Sequence, residues 1–169
     1  MFDTTASLLQ KIALGEDSFL ELKALSCLGK AVTAPHRAGL ADELAAFANA
    51  RGGVCILEIE DETRRPIGVP AGCLDVAETF VRELCNDSID PPLLATIEKV
   101  ALPSSDGSSV VVIKVTVPQS LFVHRSPGGY LHRIGSSKRE MSPDYLARLF
   151  QQRSQARLIR FDERRRAGS

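Results

Sequence analysis

The sequence predicts an α/β (α+β) fold, a single domain with a mixed β-sheet of about five strands flanked by helices. Three observations carry this expectation. Apolar residues alternate with period two in some stretches and recur at helical spacing in others, and the two kinds of stretch are interleaved along the chain. A length of 169 residues suits one hydrophobic core that needs no staples. Apolar and charged fractions of 44% and 25% are those of an ordinary globular domain.

Thr4 or Thr5 can cap a first helix with Leu8, Leu9 and Ile12 on one face, stopped at Gly15, which sets residues 1–15 apart as an N-terminal helix. In EDSFLELK, residues 16–23, alternation places Leu20 and Leu22 on one side and Phe19, Glu21 and Lys23 on the other, so a strand is expected over about 18–24. The polar stretch GKAVTAPHRAG reads as a loop into a helix over about 38–50, with Leu40, Leu44, Phe47 and Ala48 at helical spacing. Gly52-Gly53 supplies the left-handed turn that ends it. VCILEIED gives a strand over about 54–60, with Val54, Ile56, Glu58 and Glu60 on one face and Cys55, Leu57 and Ile59 on the other. A short strand follows at Ile67-Gly68-Val69, then an amphipathic helix over about 75–88. Two strands, about 95–102 and 109–117, are joined by the turn PSSDGS as a hairpin. YLHRIG, residues 130–135, is one more strand. Ser142-Pro143-Asp144 opens a last helix over about 142–155, which can continue through Leu158 into a basic tail at 154–169.

No apolar run approaches the ~20 residues of a membrane span, and MFDTTASLLQKIALGED lacks the basic-then-apolar pattern of a secretion signal. A cytoplasmic location without a membrane partner is therefore expected. Cys27, Cys55, Cys73 and Cys85 form no C-x-x-C, so free thiols in a reducing compartment are expected rather than disulfides or zinc. The three histidines have no ligand spacing, and no Walker-type phosphate loop occurs.

Formal net charge is zero but unevenly spread. Residues 1–120 hold ten Lys/Arg against seventeen Asp/Glu, and residues 121–169 hold eleven against four. A basic C-terminal third is an electrostatic footprint for phosphates, and equally the composition of a solvated helix. Around GSSKRE stand Arg125, His132, Arg133, Lys138 and Arg139. The backbone N–H groups of 135–137, the hydroxyls of Ser136 and Ser137 and these cations make a phosphate clamp, the alternative being a solvated turn. Tyr130 offers a face for a base to stack on, or a core ring. Lys23 is a further phosphate contact, or a partner for Glu21 worth about 0–1 kcal/mol if exposed.

Several pieces in order resemble the Schlafen AlbA_2 domain, the module at the N-terminus of many bacterial regulators and in Schlafen proteins. They are Glu16 with Glu21-Leu22-Lys23, Ala46-Phe47-Ala48-Asn49 running into Gly52-Gly53, the acidic strand end Glu60-Asp61, Ile67-Gly68, the run from Tyr130 to Ser137, and the helix from Ser142 to Leu149. Together they cover roughly 16–153. Where members usually carry an I-G-V step, this chain has Leu57-Glu58-Ile59. The resemblance implies an AlbA_2-like fold over 16–153 and DNA or RNA as partner, as part of a bacterial, transcription-type regulator. In ribonuclease relatives three carboxylates hold a divalent metal; the matching positions are Glu16, Glu21 and Glu60, which would take Mg2+ or Mn2+. Many relatives also carry an ATPase-like domain further on, and this chain ends before one.

Three functions follow as expectations: a non-catalytic nucleic-acid-binding module using the basic C-terminal third, a metal-dependent endoribonuclease using the three carboxylates, and a protein-interaction domain. For the ribonuclease, Glu16 and Glu21 lie five apart and converge only if Glu16 sits in the turn before the strand. SVVVIKVTV is apolar on one whole face and half of the other, so it is central or covered by a partner. With the long C-terminal helix, this makes a homodimer an expectation.

Overall fold

A computed structural model describes residues 4–60, 63–104 and 106–167. In chain order the elements are α1 (Thr5–Leu14), β1 (Leu20–Lys23), β2 (Ser26–Leu28), β3 (Ala31–Ala34), α2 (Arg37–Asn49), β4 (Gly53–Leu57), α3 (Leu74–Asp87), β5 (Thr96–Pro103), β6 (Ser109–Val117), β7 (Leu131–Ile134), β8 (Ser137–Glu140) and α4 (Pro143–Ala167). Four strands form one mixed sheet in the order β1-β4-β6-β5, with β1 parallel to β4 and the other pairs antiparallel. The fold is α/β, as expected.

Alternation in the strands decides what covers each face. Leu20, Leu22, Val54, Ile56 and Val112 pack with Leu8 and Ile12 of α1. Cys55, Leu57, Ile113, Val115 and Val117 pack with α2 and α3 through Leu44, Phe47, Val81 and Leu84. Strand β4 is buried along its whole length because both faces are covered. Thr4 caps α1 by accepting from the Ser7 N–H at 3.1 Å. Gly52 has φ of 79°, and a β-carbon there would lie 2.7 Å from the Val117 carbonyl oxygen. A β-carbon at Gly53 would lie 2.2 Å from the Phe47 ring, so this glycine lets the ring pack directly against β4.

Several sequence-based expectations need correction. Instead of one sheet of about five strands there is a four-stranded sheet and two separate two-stranded ribbons, β2-β3 and β7-β8. The stretch GKAVTAPHRAG is not all loop, since it contains β3. YLHRIG forms β7, but pairs only with β8. The strand expected to reach residue 60 ends at Leu57, because Glu58 adopts φ of 77° and breaks the alternation. Glu58 and Glu60 therefore do not continue the Val54 face. In place of an Ile67-Gly68-Val69 strand there is a single bridge between Ile59 and Pro66. Asp61 lies outside the described residues. Helix α4 is 25 residues long and takes the longer of the two courses open to it, past residue 155 through Leu158 into the basic tail. Strand β6 is central, as one of the two expected alternatives: its edges pair with β4 and β5, with Ile113, Val115 and Val117 in the core on one face and Val112 on the other. No helix among the described residues is long and apolar enough to cross a membrane. All four cysteines are free thiols.

Candidate nucleic-acid interface

Strand alternation turns Glu21 away from the α1 side and buries it at 3% exposure beside the end of the sheet. What meets it there is Arg133 of β7, whose side chain is fully buried. Arg133 Nη2 donates to Glu21 Oε2 at 2.6 Å and to the Leu20 carbonyl at 3.1 Å; Nη1 donates to Glu43 Oε2 at 2.8 Å; Nε donates to the Asp17 carbonyl at 2.9 Å. Its guanidinium lies 4.5 Å above the Phe47 ring, against which Gly53 packs. The remaining carboxylate oxygens are also used. Lys23 pairs with Glu21 Oε1, and Lys138 Nζ donates to Glu43 Oε1 at 2.7 Å. Burial works against the Lys23 ammonium, but the Glu21 carboxylate outweighs it, and its pKa stands above the usual lysine value. Two carboxylates thus face three cations in a desolvated cluster that ties β1, α2, β7 and β8 together.

Glu43 was not singled out in the sequence, although a signal exists. It lies three residues after Leu40 and four before Phe47, on the buried stripe of α2, where an acid requires a partner.

Glu16 does sit in the turn before β1. It is exposed, and its Oε1 accepts the Leu22 N–H at 3.0 Å, covering a donor on the free edge of the sheet. It lines an open cleft of about 390 Å³ with Lys23, Ser136 and Arg64. Glu60 is exposed beyond the end of β4 and accepts from the Thr63 hydroxyl. Among the described residues no group of three or more His, Cys, Asp or Glu side chains is placed to hold a metal ion. The three glutamates therefore do not fit Mg2+ or Mn2+. Glu21 has both oxygens committed to cations, while Glu16 and Glu60 are engaged with other groups.

The basic residues divide into two sets. Arg133, Lys138 and Lys23 turn toward carboxylates, so their charge is neutralised in the protein. Arg125, Arg139, Ser136 and Ser137 are exposed. Tyr130 packs edge-on against Phe150 of α4 at 5.8 Å, in a small cluster with Val123, Met141 and Leu149. His132 packs at 4.7 Å from the Tyr145 ring, and burial holds its pKa below the usual histidine value. Missed by the sequence reading were the arginines that seat α4. Arg153 Nη2 donates to the Asn49 carbonyl at 3.0 Å, capping the end of α2, and Arg157 donates to the Leu121 carbonyl at 2.8 Å while lying over Phe122.

The ion pairs show how the charge is organised. Lys11, Lys23, Arg37, Arg82, Lys99 and Lys114 all have carboxylate partners. Among the described residues, Arg125, Arg139, Arg148, Arg153, Arg157 and Arg160 have none within ion-pair distance. Residues 1–120 keep an excess of acid, and these arginines of the C-terminal third keep their positive charge.

No curated protein matches this sequence. In fold it is similar to the crystal structure of the DIP2311 protein from Corynebacterium diphtheriae, with a TM-score of 0.49 and 22% identity over 73% of this chain. The matched region spans 22% of that protein's chain. The family profile described as Schlafen, AlbA_2 matches residues 16–142, which hold the sheet, the Gly52-Gly53 turn and the Glu21–Arg133–Glu43 cluster. The chain belongs to the Schlafen AlbA_2 family.

Proposed function

We propose that the chain is a non-catalytic nucleic-acid-binding module of a bacterial regulator acting in the cytoplasm. Its phosphate contacts come from arginines of the C-terminal third. The observation that carries this reading is that those arginines have no carboxylate partners among the described residues, while Lys11, Lys23, Arg37, Arg82, Lys99 and Lys114 of the body do. An unpaired guanidinium on a surface keeps its donors for a phosphate oxygen and releases counterions when it finds one. Arg125, Arg139, Ser136, Ser137, Arg148 and Arg160 are the phosphate contacts of this proposal, and DNA or RNA is the partner. Lys23, Arg133 and Lys138 act indirectly, holding β7 and its turn in place. A homodimer joined through α4 is part of the proposal, because Leu158, Ile159 and Phe161 are exposed there; light scattering at high concentration giving the monomer mass would remove that part.

The test is an anisotropy titration of the protein against labelled single-stranded and duplex oligonucleotides at 50 and 200 mM salt. Binding at low salt that weakens steeply at high salt is the expected result. Absence of binding at low salt would leave a protein-interaction domain as the better description.

A further inference from the structure

A second cavity, of about 430 Å³, opens between the end of α2, the turn after β7 and the first turns of α4. Its volume lies within the range of small-ligand sites. Its lining differs in kind from that of the cleft at Glu16. Arg51, Arg133 and Arg153 line it, and no carboxylate does. Arg133 is neutralised by Glu21 and Glu43. Arg51 and Arg153 have no carboxylate partner among the described residues, and Arg153 spends only Nη2 on the α2 carbonyls. Two walls carry planar groups. On one, the Tyr145 and His132 rings lie 4.7 Å apart at an angle of 39°. On the other, the Arg51 guanidinium lies 5.4 Å over Phe19, the kind of plate on which a base stacks. Gln152 of α4 brings an exposed amide at the rim.

Unpaired cations select an anion and aromatic walls select a planar ring. A ligand that is both is a nucleotide. We propose that this cavity seats one unstacked nucleotide, its base against Tyr145 and His132 and its phosphate toward Arg51 and Arg153. The proposal rests on the nucleic-acid reading above and sharpens it to single-stranded chains or free nucleotides, since a paired base inside a duplex cannot enter.

The chain has no tryptophan and two tyrosines, so Tyr130→Phe leaves Tyr145 as the only tyrosine and its fluorescence lifetime as a local probe. The titrants are adenosine monophosphate, a single-stranded hexanucleotide, the same hexamer with abasic sugars, and a duplex of equal length. The expected result is quenching of Tyr145 by the hexamer and at least tenfold weaker binding of the abasic hexamer; followed by anisotropy of a labelled hexamer, Tyr145→Leu should bind at least tenfold more weakly and Tyr145→Phe should retain binding. Quenching by adenosine monophosphate at lower concentration than by the hexamer would support the site and identify a free nucleotide as its ligand. Equal affinity for the abasic and base-bearing hexamers overturns the pocket while leaving phosphate binding intact. That comparison needs no variant at position 145. No binding of any titrant at low salt overturns the pocket and the nucleic-acid reading together.

Discussion

Arg133 joins four backbone or side-chain acceptors and one aromatic ring, and its removal exposes what the cluster costs. Arg133→Met would leave Glu21 and Glu43 buried without their main partner, a loss of about 3–5 kcal/mol for a broken buried pair. Urea unfolding should show that loss, and adding Glu21→Gln with Glu43→Gln should recover much of it. A single variant as stable as the native chain would mean the cluster is not desolvated. Glu58 is the second informative residue. Its φ of 77° is a conformation that glycine adopts freely and that other residues rarely do. Glu58→Gly should therefore stabilise the fold by about 1 kcal/mol. Burial also pushes the Glu58 carboxyl above the usual carboxylate range, although the Leu25 N–H partly offsets it. A raised folded-state pKa gives stability that is complete below the unfolded value and is lost as pH rises through the folded one. Glu58→Gln should accordingly be more stable than the native chain at pH 7, with the difference closing toward about pH 4. A gap that widens on acidification would refute the assigned shift. At this scale the burial of Glu21 opposite Leu20 and Leu22 follows from period-two spacing alone. Its partner Arg133 does not, because it lies on a ribbon 112 residues away.

Among the elements, β4 and the turn before it were the most legible. Gly52-Gly53 after a helix and five apolar-rich residues leave little choice, and the close packing of Gly53 on Phe47 gives that pattern its cause. Gly53→Ala should cost 1–3 kcal/mol or more, as overpacking does, and should disturb the Phe47–Arg133 stack. A thermal midpoint unchanged from the native chain would show that the ring has room to move. The ribbons were illegible for opposite reasons. In β2-β3 only Cys27 and Val32 pack against the core, too few apolar positions to show a period. Strand β8, SKRE, has no apolar residue at all, and exists because β7 pairs with it and Lys138 reaches Glu43. Helix α4 continues into the basic tail because arginine, glutamine and alanine favour helix without displaying an apolar stripe.

Taken as a whole, a chain of zero net charge exerts no bulk attraction on a polyanion. Binding must come from the separation of charge within it. The sequence displayed the separation as a count along the chain, but not which cations would be neutralised on folding. The carboxylate cluster absorbs Lys23, Arg133 and Lys138, leaving the exposed arginines of the last third to act. The most direct test compares the salt dependence of oligonucleotide binding for the native chain with that of an Arg139→Gln, Arg148→Gln, Arg160→Gln variant. Each phosphate contact adds about −0.7 to the log–log slope on a single strand and about −0.9 on duplex DNA. The variant should bind with a slope shallower by about two on a single strand. An unchanged slope with unchanged affinity would place the phosphate contacts elsewhere and contradict the account.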